Sequence, residues 1–370
     1  MIKQQIQYCH ARDGVRIAVA ATGKGPPLLR AGPWFSHVAF DGQSPVWAHW
    51  LRELSSEHTY IRFDQRGCGL SDWTPSAFAF ESWVTDLEVV VDRLGLRRFP
   101  LFGMSQGGAI AIAYAARHPE RVSHLILLGA YAQGRLRRTS CALQREEAET
   151  LLKLMRIGWG RDNQAFRQLF TSLLIPDGTL EQHRWFNELE RVSTTPENAL
   201  AMIEASYQID VTALAERLDV PTLVCHARHD AHVPFEDGRS LAALIPSASF
   251  LPLESKNHVL LEDEPAWSRF LLEVRSFLGL AEARSLISAQ SFAAARLTRS
   301  EFEVLTMVAR GFNNHSIAAT LGKSEKTVRN QISAVFGKLD VNTRAQAVVL
   351  AREAGVAGSQ ADVRQKWGPM

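Results

Sequence analysis

Cysteine is scarce in this sequence of 370 residues, and the four that occur are far apart and fit no zinc-ligand spacing. We expect them to be reduced thiols, as is usual in the cytoplasm, and we expect no metal ion and no cofactor. They are Cys9, Cys68, Cys141 and Cys225.

Long apolar runs are also missing. No segment approaches the roughly 18 apolar residues that a membrane-spanning helix needs. The first residues, MIKQQIQ, contain no apolar stretch of the kind found in signal peptides. The sequence therefore predicts a cytoplasmic protein that does not contact the membrane.

Neither sign of charge dominates the whole chain, whose formal net charge is +2. A hydrophobic content of 46% is ordinary for a soluble protein, and the length suffices for one large domain and one small one. The charge is unevenly placed, because residues 296–370 carry a net charge of +5 and residues 1–295 a net charge of −3. This is either an electrostatic footprint for phosphate groups or a chance imbalance.

Short apolar strands alternate with amphipathic helices over about the first 280 residues. This pattern predicts an α/β domain with a mainly parallel sheet that is covered on both faces. The predicted strands are 14–20, 27–31, 59–64, 99–104, 123–129, 222–226 and 249–253. The predicted helices are 45–55, 80–94, 107–118, 236–244 and 265–278.

The alternation stops between about residues 134 and 218, where the sequence predicts helices and no strand. Because an insertion late in such a sheet often covers the pocket, we expect a helical lid. Residues 281–296, rich in Ala and Ser, predict a linker that is either flexible or helical, and residues 356–370 predict a poorly ordered tail. The two predicted domains are therefore 1–280 and 297–355.

The strongest chemical motif is Gly103-Met104-Ser105-Gln106-Gly107, which has the form G-x-S-x-G. It lies between a predicted strand and a predicted helix, so the serine occupies a sharp turn that exposes its hydroxyl at the carboxyl end of the sheet. The small glycines allow this turn to pack closely. We therefore predict that Ser105 is a nucleophile.

A serine nucleophile needs a base, and the base needs an acid that orients it, in the chain order Ser, Asp or Glu, His. Asp230 follows the sixth predicted strand and is the expected acid. His258 follows the seventh and is the expected base. His229 and His232 lie beside Asp230, after the wrong strand for a base, and are poorer candidates.

With these residues in place, residues from about 15 to 280 resemble the α/β-hydrolase family. The segment Arg62–Asp72 (RFDQRGCGLSD) resembles the loop after the fourth strand of the family, and Pro119–Val122 (PERV) resembles the start of its next strand. The resemblance implies an α/β-hydrolase fold, with the acid at Asp230 and the base at His258.

One segment departs from that family, which commonly has His-Gly after its third strand, followed by a backbone N–H of the oxyanion hole. If Arg30-Ala31 replaces His-Gly, Gly32 supplies this N–H together with that of Gln106. A shift by one residue places Pro33 there, which has no N–H. Arg30 also adds a cation, which either binds an acidic group of a ligand or pairs with a neighbouring carboxylate.

Five aromatic residues lie on loop or lid segments that are placed to roof the pocket. An apolar cavity lined by such residues suits a hydrophobic ligand. They are Trp34, Phe35, Trp159, Trp185 and Phe186.

After residue 296 the pattern becomes helical. Thr298–Glu301 forms a capping box that begins a helix, a short second helix follows at about 314–321, and Gly322-Lys323 makes the turn before a third helix capped by Ser324. Such a pair of helices is typical of the helix-turn-helix, whose second helix enters the DNA major groove. The alternative is a three-helix interaction module with a solvated face.

Residues 297–355 resemble the LuxR-type (GerE-type) helix-turn-helix domain. The matching runs are 297–301, 317–318, 324–328, 338–339 and 344–347. The resemblance implies double-stranded DNA as a partner and a homodimer whose contact is made by the last helix. The residues it implies for DNA contact are Lys326, Thr327, Arg329 and Asn330.

The two halves together predict a transcriptional regulator that senses a small hydrophobic or ester-like molecule through a hydrolase-shaped pocket. The alternative is a serine esterase-like hydrolase with an accessory DNA-binding domain. A third possibility is a sensor that slowly hydrolyses its ligand and so resets the signal. The altered segment around Gly32 argues against fast turnover.

Overall fold

The computed structural model describes residues 3–75, 77–159, 164–280, 297–339, 341 and 344–353. The chain divides into two compact units, Met1–Val274 and Arg275–Met370. The predicted linker, 281–296, and the predicted tail, 356–370, lie outside the described residues. Within the described ranges, no helix combines the length and apolarity needed to cross a bilayer.

A single eight-stranded sheet forms the centre of the first unit. Its strands are β1 (Gln4–His10), β2 (Arg16–Thr22), β3 (Pro27–Arg30), β4 (Thr59–Phe63), β5 (Phe99–Met104), β6 (Val122–Leu128), β7 (Thr222–Ala227) and β8 (Ala248–Leu253). In space their order is β1-β2-β4-β3-β5-β6-β7-β8. The pairings of β2 with β1 and β4 are antiparallel, and those from β4 onward are parallel.

Helices also form part of the first unit. They are α1 (Ala48–Leu54), α2 (Phe80–Arg93), α3 (Gln106–Arg117), α4 (Ala142–Gly158), α5 (Gln164–Leu174), α6 (Leu180–Ser193), α7 (Pro196–Tyr207), α8 (Thr212–Ala215), α9 (Phe235–Leu244) and α10 (Pro265–Phe277). Every residue of β7 is buried. Because neighbouring side chains of a strand point to opposite faces, both faces of the sheet are covered there.

The helices α4 to α8 form the lid that the sequence predicts between β6 and β7. One strand was not predicted, namely β1. It lies at the edge of the sheet, and Cys9 is its only buried residue. Its alternating apolar residues, Ile6 and Tyr8, are only two and are exposed, which is too short a pattern to predict a strand.

The described part of the second unit is helical. Its helices are α11 (Arg299–Ala309), α12 (Asn314–Leu321), α13 (Glu325–Leu339) and α14 (Arg344–Glu353). A capping box begins α11, where the Thr298 hydroxyl accepts the Glu301 N–H and the Glu301 carboxylate accepts the Thr298 N–H. Gly322 ends α12 in the left-handed conformation, with a φ of 62°, which a glycine adopts without strain.

Two apolar clusters hold the second unit together. The first comprises Leu305, Ala309, Val335, Leu339, Ala347 and Ala351. The second comprises Val304, Val308, Ile317, Ala318, Val328 and Ile332. Both clusters use α11 and α13, so these two helices form the frame against which the shorter ones pack.

Candidate functional site

Ser105 lies at the turn between β5 and α3, with a φ of 53° and a ψ of −128°. Among the described residues it is the only non-glycine residue with a positive φ. Such a conformation costs roughly 1–3 kcal/mol and persists only where the surroundings enforce it. Here the Ser105 N–H donates to the carbonyl of Leu128 at 2.9 Å, which fixes the turn to the end of β6.

The glycines around Ser105 are required by close packing. A Cβ atom at Gly103 would lie 2.6 Å from the Cα of Gly108, and a Cβ at Gly108 would lie 2.4 Å from the Cβ of Ala130. A Cβ at Gly107 would lie 2.9 Å from the carbonyl oxygen of Gly32. The G-x-S-x-G motif is therefore explained by the approach of α3 to β5, β6 and the segment after β3.

Asp230 and His258 form a buried pair. The Nδ1 atom of His258 lies 2.6 Å from Oδ2 of Asp230, while Oδ1 of Asp230 accepts the N–H groups of His232 at 2.8 Å and Val233 at 2.9 Å. Burial acts to raise the pKa of Asp230, but the charge and hydrogen bond of His258 and the Val233 N–H outweigh it and lower that pKa. Asp230 is therefore ionised, and His258 donates through Nδ1.

The other ring nitrogen of His258, Nε2, is not used in the contact with Asp230. Its Nε2 is buried and has no hydrogen-bond partner in the described part of the chain. His258 and Ser105 line the same cavity. This arrangement suits a base that accepts the serine proton through Nε2, a contact that often tightens only when substrate binds.

Gly129, at the end of β6, is a site residue that the sequence reasoning missed. Its φ is 57°, and a Cβ there would lie 2.7 Å from Cε1 and 3.0 Å from Nδ1 of His258. The His258 ring therefore occupies the space of a side chain that Gly129 lacks. A lone glycine after a strand gives no sign of this role.

Two neighbouring cavities lie beneath the lid. The nucleophile cavity, about 420 Å³ including its mouth, is lined by Pro33, Trp34, Phe35, Trp47, Met104, Ser105, Leu174, Phe186, Leu189, His232, His258 and Val259. The lid cavity, about 330 Å³ including its mouth, is lined by Trp34, Leu151, Met155, Phe170, Leu173, Leu174, Ile203, Tyr207 and His232. Both walls are predominantly apolar, as is usual for small-molecule sites.

The five predicted aromatic contacts divide into two groups. Those that line the nucleophile cavity are Trp34, Phe35 and Phe186. Trp159 lies one layer behind, with its ring centroid 5.1 Å from that of Trp34. Trp185 instead stacks on Phe40 at 4.8 Å and is not among the described residues that line either cavity.

Arg30 is buried and does not belong to the described lining of either cavity. Its guanidinium lies 5.1 Å from the centroid of the Trp47 ring, a cation–π contact. Burial raises the pKa of Asp41, and the charges of Arg62 and Arg30 oppose that rise. The Asp41 carboxylate pairs with Arg62, whose Nη1 lies 2.6 Å from Oδ2, so both interpretations of Arg30 stay predictions.

The segment after β3 is tied to the start of α3 through Gln65. The Nε2 atom of Gln65 donates to the carbonyl of Gly32 at 2.5 Å, and its Oε1 accepts from Nε2 of Gln106 at 3.5 Å. Pro33, and not Gly32, lines the cavity that contains Ser105. An oxyanion donor at Gly32 therefore stays a prediction, and a residue without an N–H lies in the cavity wall.

The four residues implied for DNA contact all lie in the first turns of α13. Their side chains are exposed, whereas Val328 and Ile332 on the opposite side of the helix are buried. They are Lys326, Thr327, Arg329 and Asn330. The Ser324 hydroxyl accepts the Thr327 N–H at 3.1 Å and caps the helix, and it also lies 2.8 Å from the Thr327 hydroxyl.

Comparison with known proteins finds two families in this chain. Residues 39–265 match the family model described as alpha/beta hydrolase fold, and residues 295–351 match the model of bacterial regulatory proteins of the luxR family.

Two curated relatives resemble most of the chain. An AB hydrolase superfamily protein of Bacillus subtilis, YisY, is 26% identical over 68% of this chain and 91% of its own length. The 2-hydroxymuconate semialdehyde hydrolase of a Pseudomonas strain is 29% identical over 72% of this chain and 95% of its own length.

A solved structure adds support for the fold. The esterase of Exiguobacterium antarcticum superposes with a TM-score of 0.62 at 23% identity, covering 74% of this chain and 99% of the esterase. At this identity the likeness supports the fold alone. The chain belongs to the α/β-hydrolase fold family, and it carries a luxR-family (GerE) DNA-binding domain at residues 295–351.

Proposed function

We propose that this protein is a ligand-responsive transcriptional regulator, whose hydrolase-fold domain binds, and can slowly hydrolyse, a small hydrophobic or ester-like molecule. One observation carries the proposal. The same chain contains an apolar cavity with Ser105 and His258 in its wall, and a capped helix α13 with an exposed polar face. A cavity of this kind suits a small ligand, and such a helix suits the DNA major groove.

The chemistry available in the cavity is acyl transfer to a serine. His258 would accept the Ser105 proton through Nε2 as the hydroxyl attacks a carbonyl carbon, and the ionised Asp230 would stabilise the resulting imidazolium. If Pro33 stands at the oxyanion position in place of Gly32, the reaction would be slow, because the loss of one oxyanion donor costs about 10²–10³ in rate. Slow hydrolysis would let a bound ligand persist long enough to act as a signal.

A single substitution separates binding from turnover. Ser105→Ala removes the nucleophile and leaves the apolar walls in place. Hydrolysis of p-nitrophenyl butyrate should vanish, while transcription from a reporter that carries a duplex selected by this protein should still respond to ligand. The matched control is His229→Gln, a change of an exposed residue on the loop of Asp230.

The DNA-binding part of the proposal has its own test. We propose that a homodimer reads two half-sites separated by about one helical turn, roughly 34–36 Å. The full-length protein should bind the selected duplex with an affinity that falls steeply as salt rises. If no duplex binds in a salt-dependent way, with or without ligand, the regulator proposal fails.

The alternative is a serine esterase-like hydrolase with an accessory DNA-binding domain. The observation in its favour is the Asp230–His258 pair, with a 2.6 Å contact and a cavity shared with Ser105. This alternative predicts rapid ester hydrolysis and a DNA affinity that ligand does not change.

A further inference from the structure

The two cavities beneath the lid meet at three residues that line both of them, Trp34, Leu174 and His232. Trp34 and Leu174 are apolar walls of this junction, and the indole N–H of Trp34 is directed away, towards the carbonyl of Ala199 at 3.4 Å. His232 is the only titratable side chain of the three. A ligand that occupied both cavities would lie beside its ring.

The backbone of His232 is held on both sides. Its N–H donates to Oδ1 of Asp230 at 2.8 Å, and its carbonyl accepts from the guanidinium of Arg135 at 2.9 Å. Its ring stands edge-on to that of His258, with centroids 4.9 Å apart. Because the backbone groups are already bonded, the ring is the part of this residue that is left to interact with a ligand.

The His232 ring is neutral at neutral pH. Burial is the main cause that lowers its pKa, and the charges of His258, Arg135 and Arg138 lower it further, while Asp230 opposes them. A neutral imidazole offers one N–H donor and one acceptor nitrogen. His232 is half-buried, and no described residue forms a hydrogen bond with its ring.

We propose that His232 is a specificity-determining residue, which forms a hydrogen bond with a neutral hydroxyl or carbonyl group of a ligand that spans both cavities. The ester or amide carbonyl of that ligand would lie beside Ser105, and its apolar tail would lie in the lid cavity. The inference rests on the proposed function, because it takes the Ser105 end as the reacting end.

The spacing of the two histidines defines the ligand further. Their rings are 4.9 Å apart, so the polar group recognised by His232 lies only a few bonds from the carbonyl that faces Ser105 and His258. The lid cavity beyond is lined mainly by aliphatic and aromatic side chains, Tyr207 among them. A medium-chain ester with a hydroxyl close to its carbonyl fits this description.

Two esters that differ in one hydroxyl test the assignment. The probes are methyl 3-hydroxyoctanoate and methyl octanoate, with the full-length Ser105→Ala protein, which binds without turnover. Titration calorimetry should show that His232→Leu weakens binding of the hydroxy ester about tenfold and of the plain ester less than about twofold. His232→Gln, which keeps a donor and an acceptor, should retain most of the affinity for the hydroxy ester.

The matched control is His229→Leu, the same exchange at an exposed residue of the same loop, and it should change neither affinity. Equal losses for the two esters in His232→Leu would overturn the proposal, and so would a failure of Ser105→Ala to bind either ester. A third outcome is that His232→Leu loses affinity for the hydroxy ester alone, while neither ester changes the affinity of the protein for DNA. That outcome would overturn the regulator proposal and leave the role of His232 intact.

Discussion

At the residue scale the site depends on the side chain that Gly129 lacks as well as on the side chains of Ser105, Asp230 and His258. The ring of His258 lies where a side chain at position 129 would be, and the left-handed backbone of Gly129 is one that other residues rarely adopt. Position 129 therefore needs a glycine for two separate reasons, the space that the His258 ring occupies and the left-handed backbone. Gly95, which has the backbone conformation without the crowding, allows the two reasons to be distinguished.

Gly129→Ala should lower the rate of ester hydrolysis by about 100-fold, because its Cβ displaces the His258 ring from Asp230 and small misplacements of a catalytic group are costly. Gly95 has a similar φ of 63° but no atom within 4 Å of a would-be Cβ. Gly95→Ala should therefore lower the melting temperature through the same backbone strain, but it should leave the rate of ester hydrolysis unchanged. Measured rates with p-nitrophenyl butyrate decide the matter, and equal activity in the two variants would contradict this role for Gly129.

Which site residues can be found from sequence follows from the same distinction. Ser105, Asp230 and His258 can be predicted from their residue types and from their positions after strands. The structure places Asp230 against His258, and it places Ser105 in the same cavity as His258. Gly129 and the ring position of His232 depend on the packing of distant segments. No local pattern records such contacts.

At the element scale the lid is joined to the loop that carries the base. The carbonyl of Leu174, at the end of α5, accepts the N–H groups of both His258 and Val259. The N–H of Asp177 donates to Oδ1 of Asn257 at 3.0 Å. A displacement of α5 therefore changes the hydrogen bonding of the His258 backbone, which makes the lid part of the active-site frame.

The lid also buries a carboxyl group. Glu190 of α6 is almost fully buried, and Oγ1 of Thr171 in α5 lies 3.2 Å from its Oε1. Burial raises the pKa of Glu190 well above its ordinary value, although the contacts with Thr171 and the charge of Arg167 oppose the rise. The folded state therefore holds a proton there that the unfolded state releases at lower pH.

The sign of the pH effect follows from this linkage. The stability that protonated Glu190 contributes is fully present below its unfolded pKa and is lost as the pH rises towards its folded pKa. Glu190→Gln carries no such proton, so its melting temperature relative to wild type should rise between about pH 5 and about pH 8. Fluorimetric melting across this range measures the difference.

Glu188→Gln is the control for that experiment. Glu188 lies on the same helix, and its hydrogen bond with Arg191 is the main cause that lowers its pKa. Because that pKa is lowered, Glu188 is ionised in both the folded and the unfolded states between about pH 5 and about pH 8. Its substitution should therefore leave the relative melting temperature nearly constant across this range, and the exposed pair with Arg191 should contribute little to it. A rise of the same size in both variants would show that the buried proton is not the cause.

In α13 the prediction concerns salt dependence. Lys326→Ala and Arg329→Ala should each weaken binding of the selected duplex and reduce the slope of log affinity against log salt by about one, if each cation neutralises one phosphate. Lys338→Gln removes the same charge from the last turn, where Lys338 pairs with Glu301 at 2.7 Å. Titrations at several salt concentrations should show an unchanged slope for Lys338→Gln. If its slope falls as much as those of Lys326→Ala and Arg329→Ala, the first turns of α13 are not the specific site of DNA contact.

The elements themselves were largely predictable, and the exceptions have one cause. The predicted strands from 27–31 onward match β3 to β8 within a few residues, because buried parallel strands are short apolar runs. The edge strand β1 is exposed and was missed. The lining of the cavities could not be predicted from the sequence. In the nucleophile cavity, for example, Trp47 and Leu174 come together from segments more than a hundred residues apart.

At the scale of the whole molecule, two compact units with different chemistry belong to one chain. A shared chain does not by itself couple them, because a ligand shifts an equilibrium only by the difference in its affinity for two states. Coupling, where it exists, is reciprocal: a ligand that changes the affinity for DNA by some factor has its own affinity changed by DNA by the same factor.

This reciprocity gives the last prediction. In full-length Ser105→Ala, saturating methyl 3-hydroxyoctanoate should change the affinity for the selected duplex by about 5–150-fold, and a saturating duplex should change the affinity for the ester equally. Anisotropy of the labelled duplex and calorimetry of the ester measure the two factors. The accessory-domain alternative predicts a factor of one in both directions. If the ester changes DNA binding in the wild-type protein but not in Ser105→Ala, hydrolysis carries the signal; if both proteins respond alike, binding alone carries it.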